Sequence, residues 1–191
     1  YYQFEWINYM KIGIISDTHD DIDNTNKAID IFQKNDVKAV IHAGDIISPP
    51  VITEFYRLTE KGVKLFGIFG NNDGEKRGLK NAFKTIGGEL LCDIGKIELD
   101  GLKFCIYHGQ DLKKKEKIIK SGKFDVFVFG HTHTRYPKDA DAKIINGTIV
   151  LNPGTAHSVA KTFGGGQYFG ESSIMIFDTT TKQFKFFDLR Q

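Results

Sequence analysis

Cysteine, proline and long apolar runs are all scarce in this chain of 191 residues, which has 2 Cys and 4 Pro. Cys92 and Cys105 each sit in an apolar, strand-like stretch. Two cysteines do not make a disulfide framework, so buried reduced thiols are the expectation. No apolar run approaches the roughly 20 residues that cross a bilayer. The N-terminus shows no basic segment followed by an apolar one, so no signal peptide is indicated. Together these absences point to the cytoplasm and to no membrane partner. A dominant charge is lacking too: Lys+Arg number 26 against 24 Asp+Glu, a net +2. That gives no electrostatic footprint for nucleic acid or an acidic membrane. With 40% hydrophobic and 26% charged residues, the chain is not a disordered polymer, and its length suits one domain with its own core. Against the scarce proline stand 20 glycines, a mark of many tight backbone corners.

Residues 1–9 differ from the rest of the chain. They are aromatic-rich, with neither strand alternation nor helical spacing, whereas Met10-Lys11 opens a strong strand pattern. Met10 is read as the natural start, with Tyr1–Tyr9 as a leader and 10–191 as a single domain; an edge strand or docking peptide is the competing reading. The front half alternates strand and helix. Lys11–Ser16, Ala39–His42 and Val63–Phe69 read as buried strands. A helix follows the first, capped by Asp23 or Asn24 and stopping near Asn35. A second opens at Pro49-Pro50 and ends at Gly62; a third covers Leu79–Ile86. The back half is richer in strands. Asp100-Gly101 and Asn146-Gly147 are two-residue hairpin signals, and a final hairpin joins Ile174–Phe177 to Phe184–Phe187. Asp111 caps a helix through Lys120, and Phe124–Phe129 is a strand. Thr155–Gly170 reads as a structureless loop whose Gly164–Gly166 make a weak candidate for phosphate binding. The alternation defines an α/β layered fold, in which ligands gather beyond the carboxyl ends of strands.

Those strand ends carry the chemistry. The first ends in Asp17-Thr18-His19, the second in Gly44-Asp45, the third in Gly70-Asn71-Asn72-Asp73. The later ones end in His108-Gly109 and Gly130-His131-Thr132-His133. Four of the 6 histidines therefore sit at strand ends beside carboxylates and an asparagine. Each piece alone is ordinary turn chemistry; the five together, in order, are not. Mixed imidazole and oxygen ligands suit Mn, Fe, Co, Ni or Zn rather than Mg or Ca. Seven ligands exceed one tetrahedral ion and suit two ions sharing a carboxylate.

The order Asp-x-His, Gly-Asp, Gly-Asn, His-Gly, Gly-His-x-His resembles the calcineurin-like metallophosphoesterase superfamily, and Lys11 to His19 resembles its small YfcE-type phosphodiesterases. The likeness spans Met10 to about Leu189. It implies a four-layer α/β/β/α sandwich of two mixed sheets. It further implies that one metal is held by Asp17, His19 and His133 and a second by Asn71, His108 and His131, with Asp45 bridging. Manganese leads the candidates for these two divalent ions, ahead of nickel, iron, cobalt or zinc. A hydroxide bridging the ions would hydrolyse a small phosphodiester. The superfamily often has histidine where this chain has Asn72, which can donate a hydrogen bond but no proton near neutral pH; this departure favours diesters. The alternative function is a protein-binding scaffold of the same fold, like the retromer subunit, with a vestigial site. Nucleic acid is disfavoured as a partner, and a homo-oligomer stays open. His42 is expected to be buried and turned from Asp45, and His157 to be an ordinary loop residue, with an approach to the site as the alternative. Lys113–Lys117 is expected to be a solvated helix face or a phosphate-attracting rim.

Overall fold

The computed structural model describes residues 10–138, 143–158, 161–163, 166–168 and 171–190. The proposed leader, residues 1–9, lies outside them, as do Gly164 and Gly165. In chain order, β1 (Lys11–Ile15) is followed by α1 (Ile22–Lys34), β2 (Ala39–His42), α2 (Pro49–Glu54), α3 (Tyr56–Thr59), β3 (Lys64–Gly67), α4 (Lys76–Thr85) and β4 (Glu89–Leu90). Next come β5 (Ile94–Leu99), β6 (Leu102–Tyr107), α5 (Leu112–Lys120), β7 (Val126–Val128), β8 (Arg135–Tyr136), β9 (Ile144–Ile145) and β10 (Thr148–Pro153). The chain continues through β11 (Lys161–Phe163), β12 (Gly166–Tyr168), β13 (Ser173–Asp178) and β14 (Phe184–Asp188).

Strand alternation builds four layers. One mixed sheet has the order β14-β13-β1-β2-β3-β4, the other β5-β6-β7-β10-β8 with β9 on β10. Ile12 and Ile14 of β1, Ala39 and Ile41 of β2, and Met175 and Phe177 of β13 point between the sheets. They meet Phe104 and Ile106 of β6, Val126 and Val128 of β7, and Ile149 and Leu151 of β10. The opposite faces bury outward. Val40, Ile174 and Ile176 pack under α1, α2 and α4, while Cys105, Tyr107, Phe127 and Val150 pack under α5. Period-two patterning with both faces apolar thus forces a helix layer onto each sheet. The expected α/β/β/α sandwich is what forms.

Most helix and turn signals hold. Pro49 opens α2 at its first turn, and Asp111 caps α5 by accepting from Lys114 N at 3.0 Å. Both hairpin turns put their two residues at positive φ, Asp100-Gly101 and Asn146-Gly147, the mirror-image turn that matches strand twist. Four details differ from expectation. The cap of α1 is Asp21, which accepts from Asn24 N at 2.9 Å; Asn24 is buried and instead donates to Ala156 O at 2.9 Å. The helix after Pro49 divides at Phe55, where Phe55 N bonds Ile52 O and Leu58 N bonds Phe55 O. Both are tight i→i+3 bonds, and they interrupt the α ladder. Part of the supposedly structureless 155–170 stretch pairs as β11 against β12, with Thr162 opposite Gln167. Finally, Cys92 is exposed, in a turn at φ 63° after β4, while Cys105 is buried on β6; neither is in a disulfide.

Candidate metal centre

β1, β2 and β3 run parallel, so their carboxyl ends lie on one edge of the first sheet. β6 and β7 are parallel to each other and bring theirs to the facing edge. Sequence-distant residues thereby converge. Asp17 Oδ1 lies 3.1 Å from His133 Nε2, 3.8 Å from His19 Nε2 and 3.9 Å from His108 Nε2. Asp45 Oδ2 lies 3.3 Å from His108 Nε2 and 3.6 Å from His19 Nε2. Two tight groups result, Asp17–His19–His133 and Asp17–Asp45–His108, each with ligand atoms within 4.8 Å of one another. Both carboxylates reach an imidazole of either group. His131 stands beside them, its ring 5.2 Å from that of His108. Asn71 is exposed at the rim. The neighbouring Asn72 donates from its backbone to Asp45 Oδ1 at 2.8 Å and from Nδ2 to Asp45 Oδ2 at 2.7 Å.

The local backbone is strained to achieve this. Asp17, His19, Asp45, His131 and His133 all sit at positive φ, between 43° and 66°. A non-glycine residue in that region costs roughly 1–2 kcal/mol, and such residues collect where function over-determines them. Two glycines permit the close approach. A Cβ on Gly44, itself at φ 96°, would fall 2.6 Å from Gly70 N and 2.9 Å from His108 Nδ1. One on Gly130 would fall 2.5 Å from Asp17 Oδ2.

Surrounding groups orient the ligand atoms. His108 Nδ1 donates to Ala43 O at 2.8 Å. A carbonyl can only accept, so Nδ1 carries a hydrogen and Nε2 faces the cluster. Asp17 Oδ2 accepts from Ser16 Oγ at 2.5 Å and His131 N at 3.0 Å, leaving Oδ1 toward the imidazoles. Thr155 Oγ1 holds Asp17 O at 2.8 Å, and Asn152 Nδ2 holds Gly130 O at 2.9 Å. The largest contribution comes from buried Asp73. Its carboxylate accepts from the backbone N–H groups of Asp45 (2.9 Å), Ile46 (2.8 Å), Ile47 (2.7 Å) and Gly70 (2.6 Å). By its place before Gly74, Asp73 reads either as a turn or helix-cap residue or as a catalytic one; nothing local announces that it clasps a loop 27 residues away. His42 is buried as expected, on the helix side of β2 against Phe55. His157 does approach the site, its ring 5.7 Å from that of His19.

The electrostatics follow from burial and proximity. Burial works to raise the Asp17 carboxyl, but the imidazoles of His133 and His19 beside it and the charge of His108 hold it well below the usual carboxylate range. Asp45 is likewise held down: burial opposes this, while the adjacent His108 imidazole outweighs it. His108 is pulled down by burial yet pushed up to about 9 by Asp45 and Asp17. His131 is lowered by burial and by His108. Asp17 Oδ1 and His108 Nε2 are buried without a hydrogen bond, and His19 Nε2 faces His133 Nε2 at 3.3 Å. Buried donors and acceptors seldom go unpaired, and Asp17, His19 and His133 bring three donor atoms within 4.8 Å of one another. The residues therefore fit divalent ions, as mixed nitrogen and carboxylate donors do.

Two facing sheets that aim imidazoles and carboxylates into one cluster define an α/β/β/α sandwich with a candidate metal centre between its sheet edges. Residues 10–182 match the calcineurin-like phosphoesterase superfamily domain, and the chain belongs to that family. It is 41% identical over 177 residues to phosphodiesterase MJ0936 of Methanocaldococcus jannaschii, covering 92% of this chain and 97% of the relative. A solved archaeal phosphodiesterase superimposes with a TM-score of 0.77 at 37% identity, over 93% of this chain and 99% of the other. Yfce, a phosphoesterase from E. coli, shares the fold at 16% identity and a TM-score of 0.58, over 94% and 100% of the two chains. Among the described residues no helix is long and apolar enough to cross a membrane.

Proposed function

We propose that this phosphoesterase is a metal-dependent phosphodiesterase acting on a small phosphodiester. The observation that carries the reading is the buried Asp17–Asp45 pair within reach of three imidazole nitrogens, with two of the cluster's polar atoms unpaired. Asp17, His19 and His133 would hold one ion, and Asn71, His108 and His131 the other, with Asp45 reaching both; manganese is the first candidate. Divalent ions bound there supply Lewis-acid stabilisation of phosphoryl charge and an acidified water. The chain's own contribution is positional. Asp73, Asn152 and the Nδ1 hydrogen of His108 hold the ligand loops in place, as the second shell of a metal site does. Asn72 offers an N–H beside Asp45 and no ionisable proton, which favours substrates whose leaving group needs no protonation. Relatedness to the Methanocaldococcus jannaschii phosphodiesterase at 41% identity supports the same reaction class. The two unpaired cysteines fit a reducing, cytoplasmic setting.

The test combines metal analysis with a paired assay. Protein dialysed with Mn²⁺ should retain two equivalents per chain and hydrolyse bis-p-nitrophenyl phosphate faster than p-nitrophenyl phosphate. Equal or reversed rates would remove the role assigned to Asn72. No retained metal and no hydrolysis would favour the scaffold reading instead.

A further inference from the structure

Beside the metal centre lies a groove of about 390 Å³ between α5, β8, β9 and β10, within the ~300–1,000 Å³ range of small-molecule sites. Its floor is Phe129, Tyr136, Ile145 and Val150. The Phe129 and Tyr136 rings are 6.0 Å apart and tilted by 57°. Thr132 also lines it, and Thr132 stands in sequence between His131 and His133. The groove thus begins at the loop that carries the candidate ligands.

Its charge is one-sided. Lys115 and Lys138 line it, and no carboxylate does among the described residues. Lys115 Nζ sits 4.5 Å from the centre of the Phe129 ring, and Lys143 Nζ sits 5.9 Å from that of Tyr136. Arg135 lines the groove too, but its guanidinium is engaged by Asp188, Ser173 and the Phe186 ring. Lys115, part of the run expected to be a solvated face, is half-buried over an aromatic instead. Aromatic walls edged by lysines suit a flat ring carried on an anion. Bases stack on aromatic side chains whatever their identity, and ring faces also attract the ammonium groups beside them.

We infer that this groove binds one ester arm of the substrate, an aromatic arm of nucleoside type, while the phosphoryl group sits at the metal centre. The inference rests on the phosphodiesterase reading and narrows its substrate class. Lys115 and Tyr136 are then specificity residues rather than catalytic ones.

Calorimetric titration of the manganese-loaded protein separates the two readings, because it requires no turnover. The probes are adenosine 5′-monophosphate, methyl phosphate and inorganic phosphate. All three present a phosphoryl group, and only the first carries a ring for the groove. Adenosine 5′-monophosphate should bind at least about tenfold tighter than methyl phosphate, a ratio equivalent to ~1.4 kcal/mol and within the range of one stacked base. Lys115→Gln and Tyr136→Leu should each cut that ratio below threefold while methyl phosphate binding shifts little. Lys115 is only half-buried and meets the groove through its flexible end over the Phe129 ring, so its variant tests the idea even if Tyr136→Leu unfolds. Equal affinities in the wild type, or an unchanged ratio in Lys115→Gln, would overturn the inference. Diester hydrolysis without the preference would overturn the groove alone; the preference without hydrolysis would overturn the phosphodiesterase reading and leave the groove standing.

Discussion

Replacing Asp73 by asparagine should unlatch the metal centre without touching a ligand. Oδ1 of Asp73 accepts from Ile46 N and Ile47 N, and Oδ2 accepts from Asp45 N and Gly70 N. An asparagine can keep one oxygen for the first pair, but its NH₂ would then point at two N–H donors. Two hydrogen bonds to a charged acceptor are lost, each worth about 1.5–3 kcal/mol. The expected loss is therefore ~3–6 kcal/mol, a large part of the ~5–15 kcal/mol that stabilises a typical domain. With a urea m-value of about 2 kcal/mol/M, the unfolding midpoint should fall by ~1.5–3 M. Asp45 would lose its backbone anchor, so bound manganese should fall with it. The assay is urea unfolding followed by circular dichroism, with metal content measured on the same samples. A midpoint shift below about 0.3 M with metal retained would refute the view that Asp73 holds the Asp45 loop.

Asp45→Ala should abolish bound metal and diester hydrolysis together, because its Oδ2 reaches histidines of both groups; retained full activity would remove Asp45 from the centre. His42 accepts from Gly44 N on Nδ1 at 3.2 Å and contacts Thr18 Oγ1 through Nε2 at 3.1 Å, so it is neutral in the fold, its pKa lowered by burial to about 3. The unfolded chain takes up that proton near pH 6.5. His42 therefore supports the fold above pH 6.5 and loses that support as pH falls toward 3. Between pH 7 and 5 this amounts to about 2 kcal/mol, and His42→Asn should flatten that part of the pH–stability curve. A slope unchanged in the variant would show that other groups carry it. Cys105 is buried, and burial pushes its thiol up to about 11. Ellman's reagent at pH 8 should then titrate one thiol, Cys92, in native protein and two after denaturation. Two fast-reacting thiols in the native state would contradict the buried position of Cys105.

Local signals in the chain were enough to place most of the elements and to point to the candidate ligands. Alternation with both faces apolar, as in Ile12 to Ile15 and Phe104 to Tyr107, implies a strand covered on both sides. Asp-Gly and Asn-Gly pairs turn hairpins because only residues tolerant of positive φ can occupy those corners. Ligand types placed directly after five apolar strands, in a family's order, mark candidate ligands, of which Asp17, His19, Asp45, His108 and His133 come together in the fold.

Features set by distance along the chain were not legible. That Asp73 clasps Asp45, 28 residues earlier, or that Asn24 turns from capping α1 to hold the loop at Ala156, depends on which backbone groups the fold brings near. The division of α2 from α3 at Phe55, and the exposure of Cys92, also depend on packing beyond their own windows. So does Lys115: its neighbours make the run look like a solvated face, and only the approach of β7 puts the Phe129 ring beneath it. Residue type and spacing alone determined which groups could bind a metal and where the chain must turn, since sterics and polarity act within a few residues. The tertiary structure alone decided which atoms are aimed, anchored or left unpaired, since those outcomes depend on contacts between strands far apart in sequence.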